Sequence, residues 1–419
     1  MILTADCILP VSSPPLHHGA VAIQGSKILD VGDMESICRR YPDLPLRELK
    51  GCVLMPGLVN AHTHLELTLL RDRLSTVDDF ISWLLALIPA KMKMTPDEIE
   101  ESIRTGAEQS LSSGTTCIGE ITNTLSSPRI LGEKGLRGVV FLEVLGRNHI
   151  DPDEWGDEVI RRLRAFEHDP SGRITMGISP HTPYTLSVDR LQVLSGLLRK
   201  ESLPYTIHVS ESREEQEYFL EQSGGFKSRL FPAVGWQDHP DPIGALSPLL
   251  YLDRFGLVTD RLLIAHGVYL SPEDMDRIRE AGARVVICAG SNQMLGVGRP
   301  PIRSLMQKNI PVALGTDSLA SNTSLSLWDE MRHVYALVKD APPITADSVL
   351  SMATLGGAQG LGLASDIGSI EPAKEADLIA VEWEEPRGDD PATDLISRTQ
   401  DRHIRMVMVG GRIVKNKKI

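Results

Sequence analysis

An alternation restricts this chain's fold more than any other feature: from Gly57 onward, short apolar runs rich in β-branched residues recur between stretches of helical periodicity. The runs are "GLVNAHTHL", "TTCIGEIT", "GVVFLEVLG", "ITMGISPH", "YTIHVSE", "LLIAHGVYL", "RVVICAG" and "PVALGTD". Strands apolar on both sides are parallel strands covered on both faces, whereas a half-wet antiparallel sheet would alternate apolar with polar. The intervening segments carry helix signals. Thr95-Pro96-Asp97-Glu98 is a capping box with proline at the first helical position, Ile99, Ile103, Ala107 and Leu111 make an apolar stripe, and Gly114 is a stop. Ser271 to Gly282 repeats the scheme. Strand-then-helix units in this number predict an α/β protein built on a closed TIM-type (β/α)8 barrel over residues 57–365. A doubly wound open sheet is the alternative.

The ends of the chain read differently. "GAVAIQG" and "KILDVGD" before the barrel, and "DIGSI", "ADLIAVEW" and "IRMVMVGGRIVK" after it, are short β runs, with "MESICRRYP" the one helical stretch and "EEPRGDDPATD" a polar loop. Neither end has enough strands to bury a face alone, which predicts a composite β-sandwich assembled from residues 1–56 and 366–419.

A formal net charge of −13, with both signs interspersed, argues against a nucleic-acid or anionic-membrane surface and for a small-molecule partner. Cys7, Cys38, Cys52, Cys117 and Cys288 are scattered and odd in number, which reads as free thiols in a reducing compartment, the cytoplasm. The start "MILTADCILPVSSPP" does not read as a basic stretch followed by an apolar run, and no stretch reaches the ~18 apolar residues of a membrane span, so a soluble, untargeted chain is expected.

Residues i and i+2 of a strand project to one side, so His62 and His64 of "NAHTHLEL" point together, with Glu66 continuing that face if the extension persists. A pair of imidazoles on one face is a ready zinc or iron ligand set, although two polar residues near a strand end would look the same. The wider pattern decides. His208 closes the fifth run, His266 the sixth and Asp317 the eighth, and a barrel gathers all C-terminal strand ends on the rim that carries the active site. The histidines His17, His18, His149, His168, His239, His333 and His403 look scattered and are read as surface residues. Glu211, three residues beyond His208, is placed for general acid/base work beside a metal-activated water; a carboxylate at a helix N-terminus in "SESREEQE" is the other reading.

"PGLVNAHTHLE", "SPHTPYTLS", "HVSES", "AHGVYL" and "LGTDSLASN", in that order, resemble the deaminase and chlorohydrolase branch of the amidohydrolase superfamily, and the likeness spans the barrel and both terminal sheets. It implies one divalent metal, zinc or iron(II), on His62, His64, His208 and Asp317, with Glu211 shuttling protons and His266 and Asp317 holding the attacking hydroxide. Binuclear members place a bridging lysine at the fourth strand; "MGISPH" has none, which implies a mononuclear site.

Within that branch, "NAHTHLEL", "FISWL", "VVFLEVLG", "SESREEQEYFL" followed by "GGF", and "LASNTSLSLWDE" are most similar to the aminofutalosine deaminases, whose substrate is an adenine nucleoside with a benzoate tail and which serve menaquinone biosynthesis. The resemblance makes His181 a substrate-binding candidate, against a purely structural role, and brings in Trp83 and Ser318. Deaminases of S-adenosylhomocysteine and methylthioadenosine carry an acidic residue after "IP" for the ribose; here "IPAKMKM" puts Ala90 and Lys91 there, leaving Glu66 or Glu143 to substitute. Arg147 and Arg213 are candidate carboxylate anchors by charge and position. The Gly- and Pro-rich segment 222–250, longer than an ordinary βα connection, is expected to be a lid carrying Phe226, Phe231 and Trp236, or else a surface excursion or a contact in a homo-oligomer. The expected activity is hydrolytic deamination of a purine nucleoside, aminofutalosine first and S-adenosylhomocysteine or methylthioadenosine second. A guanine, triazine or cyclic-amide hydrolase and a non-catalytic metal-bound scaffold are the remaining readings.

Overall fold

The computed structural model describes residues 1–74, 79–147, 151–236, 245–339, 344–383 and 390–416. In chain order its strands are β1 (Ile2–Ile8), β2 (Leu16–Gln24), β3 (Lys27–Asp33), β4 (Leu46–Pro56), β5 (Leu58–Thr63), β6 (Thr115–Thr122), β7 (Arg137–Val144), β8 (Ile174–Pro180), β9 (Tyr205–Val209), β10 (Leu262–His266), β11 (Arg284–Ile287), β12 (Val312–Leu314), β13 (Leu378–Glu382), β14 (Ile404–Val409) and β15 (Arg412–Asn416).

Strands β5 to β12 pair in parallel, each with its sequence neighbour. The first and last meet where Thr63 bridges Asp317 and the Asp317 N–H donates to the His62 carbonyl at 3.0 Å, closing the ring. The expected barrel is therefore present, and its strands are the apolar runs. Both faces are buried, as continuous apolar runs require. Leu142, Ile207, Ile264 and Val285 pack with helix residues such as Leu131, Leu194, Leu198 and Ile278, while the alternate residues Val139, Phe141, Ala265 and Val286 form a separate layer with Val59, Cys117 and Ala313. The helix Pro96–Ser112 starts at the Thr95–Glu98 capping box, and Pro272–Ala281 starts at Ser271–Asp274 and ends on Gly282 at φ 72°.

The remaining strands form one mixed sheet in the order β15-β14-β13-β4-β1-β2-β3, in which β13 lies antiparallel to β4 and joins the two ends of the chain. Two expectations for the C-terminal part need correction. "DIGSI" forms no strand, and within "EEPRGDDPATD" a helix, Pro391–Arg398, begins: Asp390 caps it by accepting from the Ala392 N–H at 3.1 Å, with proline at the first position. All five cysteines are free, and no described helix is long and apolar enough to cross a membrane.

Candidate active site

Each residue in the central cluster owes its position to a strand end. His62 lies in β5 and His64 just past it, His208 lies in β9, His266 is the last residue of β10, and Asp317 follows β12. The backbone turns sharply at two of these ends, where His266 and Asp317 take positive φ values of 69° and 57°. Such angles strain residues other than glycine and recur at functional sites.

The polar atoms converge. Asp317 Oδ1 lies 3.7 Å from His62 Nε2 and 3.6 Å from His64 Nε2, and the His64 and His208 Nε2 atoms are 3.2 Å apart. Two ligands of a tetrahedral ion bound at about 2.0–2.1 Å are separated by about 3.3 Å, so this spacing suits a shared cation. Burial pushes the His62, His64 and His266 imidazoles down, His64 to about 3, and leaves those three neutral. A buried carboxylate facing neutral rings lacks a counter-charge from the chain, which a divalent ion would supply. Neither ring nitrogen of His62 has a hydrogen-bond partner although the residue is fully buried. An orphan of that kind is expensive in a structural residue and ordinary in a ligand.

Neighbours orient the donors. His208 Nδ1 donates to the His181 carbonyl at 2.8 Å, which leaves Nε2 as a bare lone pair facing His64. The Asp317 Oδ2 atom accepts from Ser291 Oγ at 2.7 Å and Ser321 Oγ at 2.6 Å, so Oδ1 faces the rings. His266 Nδ1 sits 3.0 Å from Asn292 Oδ1, and its Nε2 is 3.6 Å from Glu211 Oε1. Burial pushes the Glu211 carboxyl up to about 8.

A cavity of ≈ 430 Å³ opens beside the cluster. His181, Glu143, Trp83 and Ser318 line it, as does Trp236 from the segment expected to form a lid. Burial lowers His181 to about 4. Trp83 Nε1 is anchored on the Ala320 carbonyl at 2.9 Å, leaving its ring as wall. Other residues singled out from the sequence lie elsewhere. The extension does not persist to Glu66: a 3-10 turn, Leu65–Leu70, begins after His64 and carries Glu66 behind the wall, against Thr122 Oγ1 at 2.9 Å and Lys91 Nζ at 2.5 Å. Arg147 is buried with its guanidinium on the Tyr184 carbonyl at 2.9 Å, the Tyr218 hydroxyl and the Phe231 ring, so it does not line the cavity. Arg213 is exposed and pairs with Glu217. Phe226 and Phe231 pack with Tyr218 in an aromatic cluster instead of on the wall, and residues 237–244 of the same segment, with His149 and His239, lie outside the described residues.

A family model for the amidohydrolase family matches residues 53–414. This chain belongs to the amidohydrolase family. A 5-methylthioadenosine/S-adenosylhomocysteine deaminase of Syntrophobacter fumaroxidans is 30% identical over 429 residues, covering 99% of this chain and 91% of its own length. Among solved structures, an adenosine deaminase from Xanthomonas campestris with bound zinc superposes with a TM-score of 0.83 at 27% identity, covering 98% of this chain and 92% of its own. Helicobacter pylori aminofutalosine deaminase in complex with methylthio-coformycin gives 0.85 at 24% identity, covering 98% and 99%, a likeness of fold. This amidohydrolase is a hydrolase acting on carbon–nitrogen bonds other than peptide bonds.

Sequence reasoning passed over several residues of the amidohydrolase site. Lys91 is the most prominent, a lysine on the cavity wall whose signal was available: Phe80, Trp83, Leu84, Leu87, Ile88 and Lys91 occupy one face of the helix Phe80–Met92, and all line the cavity. Asn292 lies in "CAGSN", where only its spacing to His266 in the fold reveals it.

Proposed function

We infer that this amidohydrolase deaminates an adenine nucleoside bearing an extended 5′ substituent, releasing ammonia and leaving the 6-oxopurine. The observation that carries the reading is the convergence of His62, His64, His208 and Asp317 beside Glu211 and His266, next to a cavity whose wall is largely apolar.

The cluster would hold one divalent ion, zinc first, which supplies a Lewis acid that makes water a nucleophile near neutral pH. The protein's own groups do the rest. Glu211, whose carboxyl burial keeps protonated near neutrality, donates to the ring nitrogen beside the amine as the ring carbon is attacked. Having taken up the proton that water releases, it passes that proton to the departing nitrogen. His266, oriented by Asn292, and Asp317, oriented by Ser291 and Ser321, fix the line of attack. His181 faces the same space and would bind the purine. Trp83, Phe80, Leu84, Leu87 and Trp236 give the cavity an apolar wall that would exclude water around the 5′ group.

Two substrates fit this description. Aromatic walls at Trp83 and Trp236 favour the benzoate-tailed aminofutalosine expected from the sequence, which would place the enzyme in menaquinone biosynthesis. The thioether of methylthioadenosine is favoured by a second observation: among the described lining residues the only Lys or Arg is Lys91, and it is already ion-paired. Ammonia release from the zinc-loaded protein with aminofutalosine, methylthioadenosine, S-adenosylhomocysteine, adenosine and guanine tests the reading. Turnover of the tailed adenine nucleosides is expected, and activity on guanine or triazines alone would overturn it.

A further inference from the structure

We propose that Glu330, a buried carboxylate behind the site, is a positioning residue that aims both His266 and Asp317 by tying together the two strand-end loops that orient them. The inference rests on the aminohydrolase reading above, in which those two residues fix the line of attack.

Glu330 lies on the helix Leu327–Val338, is 1% exposed and is not among the residues lining the cavity. Its carboxylate meets donors from two loops. From the turn after β11, the Gly290 N–H lies 3.3 Å from Oε1 and 3.0 Å from Oε2; from the loop after β12, Asn322 Nδ2 donates to Oε1 at 2.7 Å. Each donor adjoins side chains that reach the reactive groups. Gly290 is followed by Ser291, whose Oγ donates to Asp317 Oδ2 at 2.7 Å, and by Asn292, whose Oδ1 lies 3.0 Å from His266 Nδ1. Asn322 follows Ser321, whose Oγ donates to Asp317 Oδ2 at 2.6 Å, and its own Nδ2 also holds the Thr316 carbonyl at 2.8 Å. One carboxylate therefore stands within two residues of every side chain that aims His266 or Asp317.

The placement answers a physical need. His266 and Asp317 both sit at positive φ, a backbone state that persists only where the surroundings enforce it. The turn that enforces it has no slack: a Cβ on Gly290 would lie 2.5 Å from Glu330 Oε1 and 2.7 Å from Asn322 Oδ1. Burial pushes the Glu330 carboxyl up to about 7, against the pull of the Gly290, Asn322 and Ala289 donors. An apolar side chain would fill the same space without burying an acid, so packing alone does not account for a glutamate here.

Glu330→Gln tests the arrangement on the full chain. The amide oxygen can keep Asn322, but the amide nitrogen then sets an N–H against the Gly290 N–H, so the arm leading to Ser291 and Asn292 is the one released. Two readouts are followed, kcat and KM on 5′-methylthioadenosine with zinc loaded, and zinc affinity by competition with a chromophoric chelator, which needs no substrate. The variant is expected to lose about 10–100-fold in kcat with KM within threefold, and to bind zinc about tenfold more weakly. A merely structural role would add its loss to any background. Glu330→Gln is instead expected to cost less than threefold in either readout when placed on Ser291→Ala/Asn292→Leu, because the side chains through which it acts are already gone. If Glu330→Gln does not accumulate as folded protein, Glu330→Asp, which keeps the charge and shortens the reach, is read in the same way. Unchanged kcat and zinc affinity in the single variant, or the full loss repeated on the double-variant background, overturns the proposal and leaves the deaminase reading standing. Absence of ammonia from every adenine nucleoside overturns that reading instead, and the zinc competition still decides the role of Glu330.

Discussion

Glu120 offers a direct test of how the protein holds its first two histidines in place. It is fully buried at the end of β6, with Oε1 2.9 Å and Oε2 3.1 Å from the Leu65 N–H and Oε2 2.6 Å from Thr63 Oγ1, so it grips the chain on both sides of His64. Burial pushes its carboxyl well above the usual range, which favours the neutral acid. Glutamine has the shape and a donor of that neutral form. In Glu120→Gln the carbonyl keeps the Leu65 N–H, the amide donates to Thr63, and the Thr63 hydroxyl turns to the Gly119 carbonyl, 3.2 Å away. The expected loss is under about 1 kcal/mol. Glu120→Leu differs: Thr63 still has Gly119, but the Leu65 N–H is stranded, a buried orphan costing about 1–3 kcal/mol. Because that N–H follows His64, the loosening should weaken zinc about 10–100-fold, the usual effect of losing a ligand's support. Competition with a chromophoric chelator measures zinc affinity, and thermal melts measure stability. Were Glu120→Gln to lose as much zinc affinity as Glu120→Leu, or Glu120→Leu to lose none, this account of Glu120 would be wrong.

Glu211→Gln should retain zinc while turnover falls about 10²–10⁴-fold, the contribution of a placed proton carrier; metal analysis beside kcat separates the two. Asn292→Leu should lower kcat about 10–100-fold by freeing the His266 ring, with KM changed little, and a change below threefold would remove Asn292 from the account. Gly119→Ala should fail to accumulate as soluble protein, because the new Cβ would lie 2.4 Å from the Ala61 carbonyl oxygen across the β5–β6 pair; soluble expression reads the outcome.

Strand ends were legible because the information is carried locally. "TTCIGEIT" is apolar throughout because β6 is covered on both faces, and every histidine or aspartate that closes such a run is delivered by topology to one rim. The failures share a different cause. Glu66 was placed by extrapolating the strand past His64, but the chain turns into a 3-10 segment there, and a rotation of the backbone moves a side chain off a face without any change in composition. Arg147 was judged by charge and position, yet its guanidinium is taken up by a carbonyl and two aromatic residues from other elements. Lys91 stands in the sequence only as a departure from the acidic residue of its relatives, and only the approach of Glu66 and Glu143 from distant parts of the chain gives it a role. Asp390 and Pro391 did announce a helix, but among so many acidic and proline residues they passed for a loop.

The seam between β5 and β12 has a consequence for biogenesis. His62 and Asp317 are joined by a main-chain bond across that seam, so the earliest and the latest parts of the ion's cradle become neighbours in the same event. A ribosome must finish 317 residues before the pocket can exist at all, and any metal acquired during synthesis would sit on fewer donors than the mature protein offers. An ion that binds only the completed circle stabilises it by mass action, so starving the cell of metal should leave a larger share of open, protease-sensitive chains.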